Sequence, residues 1–142
     1  MDRASFPRML ALARLSYAGA AMFTPGAATL MIGGKRSQLT PMAMGWAGAF
    51  AAREAALAAF TLGSEDVDPA TRRKVLLLNA AVDALDSVSF VVLAKRSRSL
   101  MPLLLGAPGA VFSAYTHFQA AQELAASSGG AGTSREPSYA TA

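Results

Sequence analysis

Four stretches of the chain are nearly free of charged side chains, and short charged segments separate them; they are residues 15–34, 37–64, 75–94 and 99–122. A helix needs about 20 apolar residues to cross the ~30 Å hydrocarbon core of a bilayer, which each stretch supplies. The pattern therefore predicts an all-α fold. Because short connections make successive helices antiparallel, we expect a four-helix transmembrane up-down bundle.

Composition supports this interpretation without deciding it. Hydrophobic residues make up 53% of the 142 residues and charged residues 15%, against about 25% charged in average soluble domains. The mean hydropathy of +0.33 is modest because much of the apolar content is Ala and Gly. Such sequences also form soluble helical bundles, so an Ala-rich soluble bundle is the alternative fold.

Residue counts also exclude several kinds of site. The chain has no cysteine and one histidine, which excludes disulfides, thiol catalysis and a histidine-cluster metal site. A carboxylate site for a hard cation is still compatible with the sequence, but we expect no cofactor and no bound metal. The net charge of +4 comes from basic residues at the ends of the apolar stretches, where lipid headgroups would meet them. No basic face is evident, so we expect membrane lipids as neighbours and no nucleic acid.

Helix boundaries follow from capping residues and prolines. Thr40 precedes Pro41 and Asp68 precedes Pro69, and each pair combines an N-cap with a first-turn proline. Pro25 lies two-thirds along the first apolar segment, where it should kink or end the helix because proline removes a backbone hydrogen bond.

The domain organisation is simple. Residues 1–126 are predicted to form the membrane domain, and the Ser-, Gly- and Ala-rich residues 127–142 a disordered C-terminal tail. Basic residues are divided almost equally between the two sides of the bundle, so the positive-inside rule gives little direction. We expect the inner membrane of a bacterium, with both termini in the cytoplasm. Small-residue helix faces are compatible with a homo-oligomer or a membrane-protein partner.

Four charged residues interrupt the apolar stretches: Arg53 and Glu54 in the second, Asp83 and Asp86 in the third. An isolated charge at the bilayer centre costs about 2.5–3.5 kcal/mol, so these residues need partners. If the turn between the two helices is centred near Asp68, Arg53 and Asp83 are equally distant from it. This count predicts an Arg53–Asp83 ion pair, with Glu54 able to share the role.

The third stretch carries Asn79, Asp83, Asp86 and Phe90 at helical spacing, so they share one face that must point into the bundle. The small residues of the second stretch are expected to allow the third to approach closely; they are Gly45, Gly48, Ala49, Ala52 and Ala56. The predicted buried polar centre has five members, namely Arg53, Glu54, Asn79, Asp83 and Asp86.

Two further polar residues are expected outside this centre. Counted from the third loop, His117 is level with Leu77 and nearer to the membrane edge than Asp83. Arg14 lies toward the side of the chain termini by the same counting. His117 is therefore interpreted as an interfacial or hydrogen-bonded histidine.

Short motifs carry a family resemblance. They are RLSYAG at 14–19, Thr24-Pro25, GWAGAFAARE at 45–54, and Asp83 after an apolar turn. In these places the chain resembles uncharacterised small four-helix membrane proteins of bacteria, loosely DoxX-like. The resemblance implies a four-span bundle. It implies little about activity, because a fold does not fix a function.

Three functions compete. The leading interpretation is a non-enzymatic integral membrane protein, an accessory subunit or a binder of an apolar ligand, with a structural Arg–carboxylate centre. The alternative is a membrane-embedded enzyme acting on a lipid, isoprenoid or quinone-like substrate, in which Asp83, Asp86 and Glu54 are the candidate acid–base groups and His117 is auxiliary. A proton-coupled transporter is less favoured, because a neighbouring Arg would keep its carboxylate charged. A catalytic carboxylate should be unpaired and open to a pocket, whereas a structural one should be fully bridged.

Overall fold

The computed structural model describes residues 5–24, 26 and 40–130. Within these ranges all regular secondary structure is helical, which confirms the predicted all-α class. A short π-helical segment, Pro102–Gly106, leads into the last helix. The α-helices among the described residues are α1 (Phe6–Phe23), α2 (Pro41–Gly63), α3 (Pro69–Ser97) and α4 (Ala107–Gly130).

The predicted caps start α2 and α3. The Thr40 hydroxyl oxygen accepts a hydrogen bond from the Ala43 N–H at 3.1 Å, and the Asp68 carboxylate accepts one from the Thr71 N–H at 2.9 Å. Each cap satisfies a backbone donor that has no partner within its own helix. Hydrogen bonds from Thr71 lower the pKa of the Asp68 carboxyl, and its side chain contributes more than its backbone N–H.

The first helix ends where proline predicts. Its last residue is Phe23, two residues before Pro25, and a residue that precedes proline is disfavoured in helical conformation. Residues 27–34, the rest of the first apolar stretch, lie outside the described residues.

The last helix is longer than predicted. It continues to Gly130, four residues beyond the expected start of the tail. The hydroxyls of Ser127 and Ser128 both donate to the Leu124 carbonyl oxygen, so these serines bond within the helix. Residues 131–142, the rest of the predicted tail, lie outside the described residues.

The helices associate as two antiparallel pairs, α1 with α2 and α3 with α4, and few backbone contacts join α2 to α3. Arg8, near the start of α1, forms an ion pair at 3.4 Å with Glu65, just beyond the end of α2. Ala18, Ala21 and Ala51 form the apolar contact between these two helices. Their small side chains let the two backbones approach closely.

The expected small-residue contact between α2 and α3 is therefore wrong. Gly45, Ala49, Ala52 and Ala56 are exposed, and no atom lies within 4 Å of a Cβ placed on Gly45. The buried face of α2 instead carries Ala51, Glu54, Leu57, Ala58 and Thr61. Small residues permit close approach on any face of a helix, so their spacing alone does not select the neighbour.

A glycine sets the packing of α3 against the π-helical segment. The ring of Phe90 lies so close to Gly106 that a Cβ there would be 2.5 Å from a ring carbon. Only glycine leaves room for the ring in this position. The π-helical segment ends two residues before Pro108, which has no N–H to donate to the helical ladder.

Among the described residues, one helix, α3, is long and apolar enough to cross a membrane. Only 22% of its apolar window is buried, whereas the core helix of a soluble domain would be mostly buried. Large apolar side chains also lie exposed on every helix, among them Leu12, Trp46, Phe60, Leu85, Val88 and Phe112.

Candidate functional site

One guanidinium joins the four described α-helices. Arg14 of α1 donates through Nη2 to both carboxylate oxygens of Asp83 on α3. The same nitrogen donates to the Ser113 hydroxyl on α4 at 3.1 Å, and Nη1 donates to the Asn79 side-chain oxygen at 3.3 Å. Its Nε lies 3.6 Å from the Glu54 carboxylate on α2. A single side chain therefore fixes the relative position of the two helix pairs.

This first pair is deeply buried. Arg14 is 9% exposed, Asp83 is 4% exposed and Asn79 is fully buried. Asn79 also donates to the Val75 carbonyl oxygen at 3.0 Å, so both the oxygen and the nitrogen of its side-chain amide are hydrogen-bonded. Removing a charge from water is costly unless a partner and further hydrogen bonds satisfy it, and here Arg14 has both.

A second pair lies beside the first. Arg53 of α2 donates to both carboxylate oxygens of Asp86 on α3, at 2.7 Å for its Nη1. Its Nη2 also donates to the Glu54 carboxylate at 2.6 Å. The guanidinium lies 4.4 Å from the centre of the Phe50 ring, a cation–π contact. Glu54 thus stands between the two arginines and links the pairs.

The predicted Arg53–Asp83 ion pair is wrong, because Asp83 pairs with Arg14 and Arg53 pairs with Asp86. Asp83 and Asp86 are three residues apart, which separates them by about 60° around the helix axis. They consequently point toward different neighbours, Asp83 toward α1 and α4 and Asp86 toward α2. Counting residues from a turn gives depth only, and it considers two helices where four compete.

His117 and Arg14 belong to the centre, contrary to the expectation that both lie toward the membrane edge. His117 is fully buried, with Nδ1 at 2.9 Å from the Ser113 carbonyl oxygen and 3.5 Å from an Asp83 carboxylate oxygen. The short distance to a carbonyl places a proton on Nδ1. Nε2 has no hydrogen-bond partner among the described residues.

All five members of the predicted polar centre lie in this network, and the sequence prediction missed Arg14 and Ser113. A count of positive and negative charges would have indicated Arg14 as a member of the centre. Three carboxylates within the apolar stretches need more than the one cation Arg53, and Arg14 lies eight residues from Phe6, well inside α1. Ser113 carries no comparable signal, because isolated serines are common in helices of every kind.

A cavity of about 290 Å³ opens beside the two pairs. Apolar and aromatic side chains from the four described α-helices form its walls, including Leu10, Tyr17, Phe50, Phe90 and Ala110. Charged side chains form its floor, namely Arg14, Glu54, Asp83 and Asp86. An apolar cavity with a few convergent polar groups is typical of a small-molecule site.

Metal coordination has no support among the residues that the structure describes. No group of three or more His, Asp or Glu side chains there is arranged to hold a metal ion. The carboxylates are oriented toward guanidinium groups instead.

No protein-family model, curated protein or solved structure matches the chain. The resemblance to DoxX-like membrane proteins therefore stays a prediction.

Proposed function

We propose that this chain is a small integral membrane protein of four membrane-spanning helices, without catalytic activity, that binds an apolar ligand between its helices. The proposal is supported by the distribution of polar and apolar side chains, which is the reverse of that in a soluble protein. Arg14, Asn79 and Asp83 are buried, while Leu85 and Val88 of the same region are exposed. A soluble domain buries its apolar side chains and exposes its charges. In a bilayer, polar side chains must face the bundle interior.

Helix lengths are compatible with this proposal. The 18 residues of α1 and the 23 residues of α2 correspond to about 27 and 35 Å at 1.5 Å per residue, close to the ~30 Å hydrocarbon core. Basic residues cluster at both ends of α3, with Arg72, Arg73 and Lys74 at one and Lys95 and Arg96 at the other. Such residues are favourable at the level of lipid headgroups.

Pairing of the carboxylates supports a structural centre. Asp83 and Asp86 each bind a guanidinium with both oxygens, and Glu54 binds Arg53. A bound guanidinium holds a carboxylate in its charged form, which opposes proton transfer. The alternative, a membrane-embedded enzyme acting on a lipid or isoprenoid substrate, has in its favour that these carboxylates line the cavity. The pairing makes it the weaker hypothesis.

Membrane fractionation tests the first part of the proposal. The expressed full-length chain should stay in the membrane pellet after a carbonate wash and should be released only by detergent. Recovery in the soluble fraction would contradict the four-span bundle. The bacterial inner membrane, the cytoplasmic termini and a homo-oligomeric or accessory-subunit role stay predictions that this experiment leaves open.

Ligand binding tests the second part. Neopentylbenzene, a neutral apolar probe, should bind the purified protein in detergent, as measured by calorimetry against a detergent blank. Gly109 lines the cavity, with open space where its Cβ would lie, so Gly109→Leu should fill the cavity and abolish this binding. Gly45→Leu is the matched control, because Gly45 is exposed outside the cavity. Equal binding by both variants would place the probe elsewhere.

A further inference from the structure

We infer that the cavity selects a lipophilic cation, an organic ammonium whose charged head lies against Glu54 and whose apolar groups contact the aromatic walls. This inference depends on the proposed function, because it specifies the chemistry of the ligand that the cavity takes.

The charge of the site favours a cation. The network contains three carboxylates, of Glu54, Asp83 and Asp86, and two guanidiniums, of Arg14 and Arg53. With the imidazole of His117, 3.5 Å from Asp83, counted as neutral, it holds one negative charge in excess. An unbalanced charge in a medium of low dielectric constant is costly. A cationic ligand would balance it, whereas an anion would add to it and a neutral ligand would leave it unchanged.

Glu54 is the position where the cation would bind. Both oxygens of Asp83 and both of Asp86 accept hydrogen bonds from guanidiniums. Glu54 uses Oε1 for Arg53, while its Oε2 receives no hydrogen bond from the described residues and lies 3.6 Å from the Nε of Arg14. The residue is 8% exposed and lines the cavity. A largely buried carboxylate, with one oxygen that has spare acceptor capacity, thus lines the ligand space.

The walls suit an organic cation better than a metal ion. Tyr17, Phe50 and Phe90 all line the cavity, and the Tyr17 and Phe50 rings meet edge to face at 6.1 Å between centroids. Aromatic faces attract ammonium groups through their quadrupoles. Tyr17 also brings a hydroxyl, a further polar group, to the lining of the cavity.

Two isosteric probes isolate the charge. Benzyltrimethylammonium and neopentylbenzene have the same shape and differ in one atom, a positively charged nitrogen or a neutral carbon. We expect the purified protein in detergent to bind the cation about tenfold more tightly, as measured by calorimetry. Phenylmethanesulfonate, an anion of similar size, should not bind.

Glu54→Gln tests the role of the carboxylate. This variant keeps an oxygen acceptor for Arg53 but removes the excess charge, so the preference for the cation should disappear while neopentylbenzene still binds. Glu65→Gln is the control, because Glu65 lies outside the cavity and pairs with the exposed Arg8; it should behave as the unaltered protein does. Tyr17→Phe should weaken binding of the cation less than Glu54→Gln does.

Each outcome separates this inference from the proposed function. Equal binding of the two isosteres would overturn the cation preference and leave an apolar-ligand binder. Binding of neither isostere would overturn the apolar-ligand function itself. A preference that survives in Glu54→Gln would overturn the assignment of the head group to Glu54.

Discussion

The two ion pairs have the same chemistry in different surroundings. The side chains of Arg14 and Asp83 are 9% and 5% exposed, whereas those of Arg53 and Asp86 are 34% and 16% exposed. Arg14 has three further polar partners around it. Arg53 contacts Glu54 and the Phe50 ring in addition to Asp86. Its Nε has no hydrogen-bond partner among the described residues. The deeper charge is thus the more completely satisfied one.

The difference follows from the cost of desolvation. A buried ion pair is tolerated only where extra hydrogen bonds satisfy its remaining donors and acceptors. Arg14 meets this condition by contacting residues of α2, α3 and α4, and this makes it a determinant of how the two helix pairs associate. Arg53 is closer to the surface, where the requirement is weaker, and it joins only α2 to α3.

The largest expected effect is the loss of the deeper pair. Arg14→Ala leaves Asp83 buried without its cation, which should lower the free energy of unfolding by about 3–5 kcal/mol, measured by denaturant titration in detergent. Arg14→Ala combined with Asp83→Ala should cost less than the sum of the two single changes. The matched control is Arg8→Ala, an exposed ion pair worth about 0–1 kcal/mol. Additive effects would contradict the pairing.

The second-largest expected effect comes from the packing of Gly106 against the Phe90 ring, next to the two ion pairs. Gly106→Ala places a methyl group against the Phe90 ring, which should cost about 1–3 kcal/mol of unfolding free energy through overpacking. Gly109→Ala is the control because no atom lies within 4 Å of its Cβ position, and it should not destabilise the protein. If Phe90→Ala does not restore part of the stability of the Gly106→Ala variant, the close contact is not the cause.

The shallower pair gives a smaller loss. Arg53→Ala should lower the free energy of unfolding by about 1–2 kcal/mol, since it removes charged hydrogen bonds that are partly exposed. Thermal unfolding of Arg53→Ala and Arg14→Ala under identical conditions checks the comparison directly. A loss for Arg53→Ala equal to that for Arg14→Ala would mean that burial does not distinguish the pairs.

The smallest effect concerns His117. His117→Met replaces the buried ring by an apolar side chain and removes Nε2, a polar atom without a partner among the described residues. The change also removes the hydrogen bond between Nδ1 and the Ser113 carbonyl oxygen, and a single bond of this kind contributes about 0.5–1.5 kcal/mol, so the free energy of unfolding should fall by about 1 kcal/mol. A loss above about 3 kcal/mol, the size expected for breaking a buried charged pair, would show that the contact between His117 and Asp83 acts as an ion pair.

Local signals explain what sequence reasoning predicted well. Thr40 and Asp68 act as caps, and Pro25 follows the end of α1, because each effect depends on a few adjacent residues. The polar face of α3 was also predictable, since Asn79, Asp83 and Asp86 recur at helical spacing. The end of α4 was missed because serine is as compatible with a final helical turn as with a tail.

The sequence by itself determined that the chain forms helices, where most of them begin, and that charges lie inside apolar segments and need partners. Those properties depend on backbone hydrogen bonding, local capping and the cost of an unpaired charge. Only the tertiary structure decided that α1 pairs with α2 and α3 with α4, that Asp83 receives Arg14, and that His117 and Ser113 join the centre. Partner choice depends on the rotation and crossing of four helices in three dimensions, and a one-dimensional count of residues does not contain that information.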